Sequence, residues 1–228
     1  MKQLIIFFAM LFASTLVSSA IPSIPDEFGD EYGQVVFSTT DPEYEWSQID
    51  SKQIKVGFKG QALQLESKIP DGFAYTVTEL PIDVEDTPDF LFGFTIYGFK
   101  PSDLSKNNNA LMTGSFGMLF DYQDIRNYKA IAIFKKTYQY YTVKDGVMSM
   151  VKSGPVKYNG NSFNLICKRE NGGVEFQLNG IEVCKLRKIE LTSSYFGVFI
   201  NGKGKAVVPS FIMYIPEQED IEQSTTNT

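Results

Sequence analysis

The sequence predicts an all-β chain, about 12–14 short antiparallel strands folded into a two-sheet sandwich, with few or no helices beyond residue 20. Three observations carry this. Residues 116–151 hold four apolar runs separated by turn residues alone. Elsewhere apolar and polar residues alternate with a period of two, and no helical period of useful length follows the N-terminal stretch. Phe (19) and Tyr (12) are abundant and Trp (1) is rare, a usage that suits pleated surfaces.

The four runs are the centre of the fold. Residues 117–122 and 128–134 flank Gln123-Asp124-Ile125-Arg126-Asn127, a polar insert that closes a hairpin. Residues 138–143 end at Asp145-Gly146, a two-residue turn signal, and residues 147–151 follow at once. Four up-and-down strands result, and their polar turns form a rim.

Taken from the N-terminus, residues 1–20 read as a secretory signal peptide. Lys2 supplies the positive end, residues 4–17 form an apolar segment short for a membrane span, and Ser18-Ser19-Ala20 supplies small residues for cleavage. The residue directly after the cleavage point, Ile21, is not cysteine, and no second long apolar run occurs, so no membrane insertion is expected after cleavage. The expected location is secreted, extracellular or periplasmic. Residues 21–30 form a Pro-rich acidic leader, and residues 34–37 a short strand. Tyr44 and Trp46 follow the turn at Asp41-Pro42; Trp46 is expected to cover a core edge, with a sugar-stacking platform as the alternative.

Strands are then expected at residues 53–58, 62–65 and 73–78, with turns at Gly60 and Pro70-Asp71-Gly72. Residues 81–88 form an acidic loop. Residues 90–99 are almost wholly apolar, as for a central strand covered on both faces, and residues 100–113 are the long loop. After the central hairpins come strands at residues 163–169, 174–178, 181–185, 195–200 and 205–214. Residues 216–228 are polar, acidic and aperiodic, a disordered tail. The expected organisation is one domain over residues 21–215.

Charge and composition limit the chemistry. Losing residues 1–20 removes only Lys2 of the 21 basic residues, against 27 acidic ones. An acidic chain with scattered cations repels nucleic acid and anionic surfaces, so a neutral partner fits better. There is no His, which excludes Ser-His-Asp and Cys-His catalysis and His-ligated zinc or copper within this chain. The two cysteines, Cys167 and Cys184, are predicted to lie two strands apart on opposite faces, out of reach of a disulfide. That register sets Cys167 opposite Phe176 and Cys184 opposite Glu175.

The order of these elements resembles a known superfamily. The resemblance rests on Asp121-Tyr122-Gln123-Asp124 with Asn127-Tyr128-Lys129, on Asp145-Gly146, on Phe163-Asn164-Leu165-Ile166 and on Val174-Glu175-Phe176-Gln177-Leu178-Asn179-Gly180. Phe196-Gly197-Val198-Phe199 and Phe211-Ile212-Met213-Tyr214 complete it. Over residues 28–215 the chain is similar to the concanavalin A-like lectin/glucanase superfamily, and within it to laminin-G-like and 3-keto-disaccharide hydrolase-like jelly rolls. The resemblance implies two antiparallel sheets of six or seven strands, one of them concave, and sugar binding on or beside the concave face. The Glu-x-Asp-x-x-Glu signature of the glucanases of this fold is absent, as is the Gln-x-His element of its lyases.

Non-catalytic carbohydrate binding is therefore the leading expectation. A glycoside hydrolase drawing its carboxylates from Asp121, Asp124 or Glu79 is the alternative, and a laminin-G-like protein-interaction module the second alternative. The sugar-binding candidates are Tyr122, Tyr128, Tyr138 and Tyr140, whose rings can pack on sugar C–H faces, and Arg126, which could anchor an acidic sugar. Adjacent Tyr140 and Tyr141 must point to opposite faces. No cofactor is required. Asp121, Asp124 and Asn127 offer oxygens to calcium, with capping of the hairpin turn as the simpler role.

Overall fold

The computed structural model describes residues 35–83, 89–103 and 112–214, so the expected signal peptide, acidic leader and disordered tail, and most of the acidic loop and the long loop, lie outside the described residues. Among the described residues there are sixteen strands and no helix. They form two antiparallel sheets.

The first half of the chain supplies β1 (Val35–Ser38), β2 (Ile49–Asp50), β3 (Ile54–Lys59), β4 (Ala62–Ser67), β5 (Phe73–Glu79) and β6 (Phe90–Tyr97). The central hairpins are β7 (Ser115–Asp124), β8 (Asn127–Ile133), β9 (Thr137–Lys144) and β10 (Val147–Pro155). The remainder is β11 (Ser162–Glu170), β12 (Gly173–Leu178), β13 (Ile181–Leu186), β14 (Tyr195–Asn201), β15 (Gly204–Val208) and β16 (Ser210–Tyr214).

The six-stranded sheet runs β10-β9-β8-β7-β14-β5. The other sheet has ten strands, in the order β13-β12-β11-β6-β15-β4-β3-β2, with β16 paired to β6 and β1. Ten exceeds the six or seven the resemblance implied; sixteen exceeds the expected total for a local reason. The closing run at residues 205–214 is divided at Pro209, which has no N–H to give a ladder. Its two halves both pair with β6, Val207 opposite Tyr97 and Phe211 opposite Phe94. Two-residue β2 adds one more short strand.

The main core lies between the sheets. Phe92, Phe94, Leu165, Phe176 and Phe211 from the ten-stranded sheet meet Phe116, Met118, Phe120, Phe196 and Val198 from the other. Rings cross the interface at Phe116–Phe163 (4.5 Å), Phe120–Phe176 (5.1 Å) and Phe92–Phe196 (5.4 Å). Each buried Phe contributes about 1.5–3 kcal/mol, so this layer dominates the stability of the fold. Trp46 is buried here edge-on to Phe211 at 5.4 Å, covering the core edge as its sequence position suggests.

The opposite face of the six-stranded sheet carries a second buried cluster, with Leu119, Tyr128, Ala130, Tyr141 and Phe199. Met112, from the end of the long loop, is buried in it. Gly117 lets this sheet close up: a Cβ there would stand 1.9 Å from the Ile131 carbonyl oxygen and 2.8 Å from the Phe199 ring.

One predicted register is corrected. Cys184 stands opposite Phe176, not Glu175, because a bulge between Phe176 and Gln177 absorbs Val183. Cys167 also stands opposite Phe176. Both thiols therefore face the main core, on the same side of the sheet, with the Phe176 strand between them. They remain unpaired, since two strand spacings are about 9.6 Å and a disulfide spans at most about 7 Å between Cα atoms.

Candidate functional site

The hairpin at residues 121–129 is held by its own polar groups. Asp124 accepts the Arg126 backbone N–H (2.6 Å) and both carboxylate oxygens accept from the Asn127 amide (3.1 Å each). Those bonds, the Asn127 side chain first, hold the Asp124 carboxyl below its ordinary range. Asn127 Oδ1 in turn accepts the Asp145 N–H (3.0 Å), and the Arg126 guanidinium donates to the Asp145 carbonyl (3.0 Å). The two turns of the β7–β10 meander are thus tied together.

Asp121 is engaged elsewhere. It is buried, at φ +50° where β7 breaks register with β8. One oxygen takes the Lys129 ammonium; the other accepts the Thr192 N–H (2.6 Å) and hydroxyl (3.1 Å). In this arrangement the side chains of Asp121, Asp124 and Asn127 are all hydrogen-bonded within the protein. Among the described residues no group of three or more Asp, Glu or Cys is arranged to hold a metal.

The tyrosines divide by strand parity. Tyr138 and Tyr140 enter the inter-sheet core, and Tyr141 points the other way into the second cluster, as adjacency requires. Tyr128 is buried beside Tyr141, and burial pushes its hydroxyl up to about 12. Tyr122 alone of the four candidate tyrosines keeps partial exposure. Its ring packs on Tyr75 and Tyr128 at 5.9 and 6.2 Å, and its hydroxyl meets that of Tyr75 at 3.3 Å.

The segment between β13 and β14 connects this hairpin to a cleft. The Lys129 ammonium donates to the Glu190 carbonyl (2.6 Å), Asp121 holds Thr192, and the Ser193 hydroxyl donates to the Tyr122 carbonyl (2.6 Å). Leu80 N–H then closes on the Ser194 carbonyl (3.0 Å). Beyond it, register sets Tyr195 directly opposite Glu79, and the Tyr195 hydroxyl donates to the Glu79 carboxylate at 2.8 Å. That bond raises the Tyr195 hydroxyl above its ordinary value. The Ser194 hydroxyl reaches the other Glu79 oxygen at 3.4 Å. The Tyr195 ring is 39% exposed, held in place by a carboxylate rather than by packing.

Glu79 and Tyr195 form one wall of a cleft of about 870 Å³, completed by Glu43, Tyr44, Asp83 and the hydroxyls of Thr192, Ser193 and Ser194. A recess of about 410 Å³ adjoins it, sharing Glu43, Glu79 and Tyr195 and backed by Trp46. The Trp46 indole N–H is buried with no acceptor among the described residues. Chemically the cleft offers ring faces, carboxylate acceptors and hydroxyls at one place. Glu79 was legible in the sequence only as a spare carboxylate; Glu43, Thr192 and Tyr195 were not singled out at all.

No family model matches the chain, and no curated protein matches it in sequence. Solved structures do match in shape. The exoplasmic/lumenal domain of VIP36, in a Ca²⁺/Man3GlcNAc-bound form, superposes with a TM-score of 0.56 at 9% identity, over 82% of this chain and 93% of that one. The fold is a two-sheet jelly-roll sandwich, shared with that domain. The Emp47p carbohydrate recognition domain gives 0.53 at 12% identity, over 82% and 96%. The carbohydrate-binding module CBM66 from Bacillus subtilis gives 0.50 at 14%, over 74% and 94%. At these identities the likeness is one of fold. Among the described residues no helix is long and apolar enough to cross a membrane.

Proposed function

We propose that this chain is an exported, non-catalytic carbohydrate-binding protein that holds a neutral sugar in the Glu79–Tyr195 cleft. The observation that carries this reading is the Tyr195 ring, exposed at the cleft wall and fixed by Glu79. A fixed ring can stack on a sugar face at little cost in side-chain freedom, while nearby carboxylates and hydroxyls accept and donate to sugar hydroxyls. Half-buried Tyr122 lies next to the segment that lines the cleft, so it is the hairpin tyrosine placed to extend the site. The lectin-like fold and the carbohydrate-recognition domains that share it support the same reading, as does the signal-like N-terminus for export.

The test is a glycan array followed by calorimetry on the best neutral oligosaccharide, with and without calcium. Saturable binding is expected, independent of calcium and reduced about tenfold or more in Tyr195→Ala. Binding that survives both Tyr195→Ala and Glu79→Gln would place the site elsewhere. Sugar release from a polysaccharide panel, lost in Glu79→Gln, would replace this reading with a hydrolytic one.

A further inference from the structure

A second cleft opens on the far side of the same segment, where the edge strands β10 and β13 approach each other. The Lys152 ammonium on β10 donates to the Lys185 carbonyl on β13 (2.7 Å), bridging the two sheets at that edge. The cleft has a volume of about 730 Å³, within the range of about 300–1,000 Å³ usual for small-ligand sites. Its lining has a charge balance opposite to that of the chain. Lys129, Arg187 and Lys188 contribute to it against one carboxylate, Glu190. Lys129 is matched by Asp121. Arg187 and Lys188 are exposed and make no ion pair among the described residues.

The second observation is independent of charge. Tyr140 lines this cleft and is only 3% exposed, yet its hydroxyl has no hydrogen-bond partner among the described residues. The hydroxyl is not among the enclosed unpartnered polar atoms of the described residues, so it meets the cleft, where it can pair with a ligand atom. Burial raises its pKa, keeping it a neutral donor. The rest of the wall mixes Thr142 with the apolar Leu186 and Val151. A small inorganic anion needs no apolar wall; a ring bearing an anionic group uses both.

We propose that this cleft is a second binding site, for an acidic sugar residue, whose carboxylate or sulfate is held by Arg187 and Lys188 while a ring hydroxyl pairs with Tyr140. Charge-assisted hydrogen bonds to a guanidinium supply the strength, and the Tyr140 hydroxyl fixes the orientation. The proposal rests on this cleft alone and stands or falls separately from the neutral-sugar reading.

The experiment titrates the full-length protein with a trigalacturonate, a sulfated chondroitin tetrasaccharide, maltotriose and inorganic sulfate. At least one acidic oligosaccharide is expected to bind saturably, and the two acidic arms tell carboxylate from sulfate. Arg187→Ala/Lys188→Ala should weaken it about tenfold or more and Tyr140→Phe about threefold to tenfold, with the remote Lys157→Ala/Lys203→Ala pair leaving it unchanged. Both acidic oligosaccharides failing to bind would overturn the proposal. So would equal losses from the remote pair, which mark diffuse charge, or competition by inorganic sulfate at the same concentration. Arg187 and Lys188 are exposed and Tyr140→Phe keeps the ring, so these variants are expected to fold; unchanged thermal melting checks it.

Discussion

Replacing Asp121 with Asn tests whether the segment between the two clefts is held by charge. The Asp121 carboxylate is 7% exposed and the Lys129 ammonium 21%, so the pair is largely shielded from water. Removing one partner of a buried pair costs about 3–5 kcal/mol. Lys129 keeps the Glu190 carbonyl and some solvent, which lowers the expected loss to about 2–3 kcal/mol. Asn is the informative replacement because it tolerates the φ of +50° and retains an oxygen for Thr192, so the charge alone is lost. Ala removes more. It enters the left-handed region at about 1–2 kcal/mol and strips both Thr192 bonds at about 1 kcal/mol each. Urea unfolding followed by tyrosine fluorescence or circular dichroism reads the difference. With m near 2–3 kcal/mol/M for a sandwich of this size, roughly, Asp121→Asn should lower the midpoint by about 1 M and Asp121→Ala by about 2 M. A midpoint for Asp121→Asn within about 0.2 M of wild type would refute the reasoning. So would an Ala variant no less stable than the Asn variant.

Other outcomes follow from the same geometry. Gly117→Ala cannot be accommodated against the Ile131 carbonyl without moving β7 or β8, and is expected to cost at least about 2–3 kcal/mol or to abolish soluble expression; a wild-type melting temperature would contradict this. Phe176→Ala removes a fully buried ring from the centre of the core and should destabilise by about 3–5 kcal/mol in the same urea assay. The Asp124 carboxyl should titrate below the ordinary Asp value of 3.8 by NMR and move up in Asn127→Ala. Because its folded pKa is depressed, any stability it lends is present above the unfolded value and is lost as pH falls through the folded one. Tyr195 should titrate above the ordinary tyrosine value of 10.0 and fall back in Glu79→Gln; no change would break the Glu79–Tyr195 pairing.

The fold was readable where local signals agree. Along β7–β10 alternation, the 123–127 insert and Asp145-Gly146 all point to the same hairpins, and the strands appear within a few residues of their expected bounds. The Val183 bulge was not readable, because a one-residue slip leaves the local pattern intact. What selects it is tertiary: the slip turns Cys184 inward, onto the Phe176 side of the sheet. The Pro209 break was visible as a residue, but its effect depends on both halves sharing β6, which no local pattern encodes. The cleft was the least legible part. Glu79 and Tyr195 are 116 positions apart and meet only through the β5–β14 pairing. The hairpin tyrosines stood out in the sequence by density, yet density of aromatics on adjacent strands is also what a core requires, and the rings of three of the four are buried.

The Phe176 ring also settles how the sandwich relates to its surroundings. Its strand lies between the two sulfhydryls of the chain within one sheet, two strand spacings apart, so no disulfide joins them and a reductant finds no such bond to cut. Thermal midpoints with and without dithiothreitol should coincide. A domain built this way reaches the same native state in oxidising and in reducing media, which frees its production and handling from any oxidative folding step.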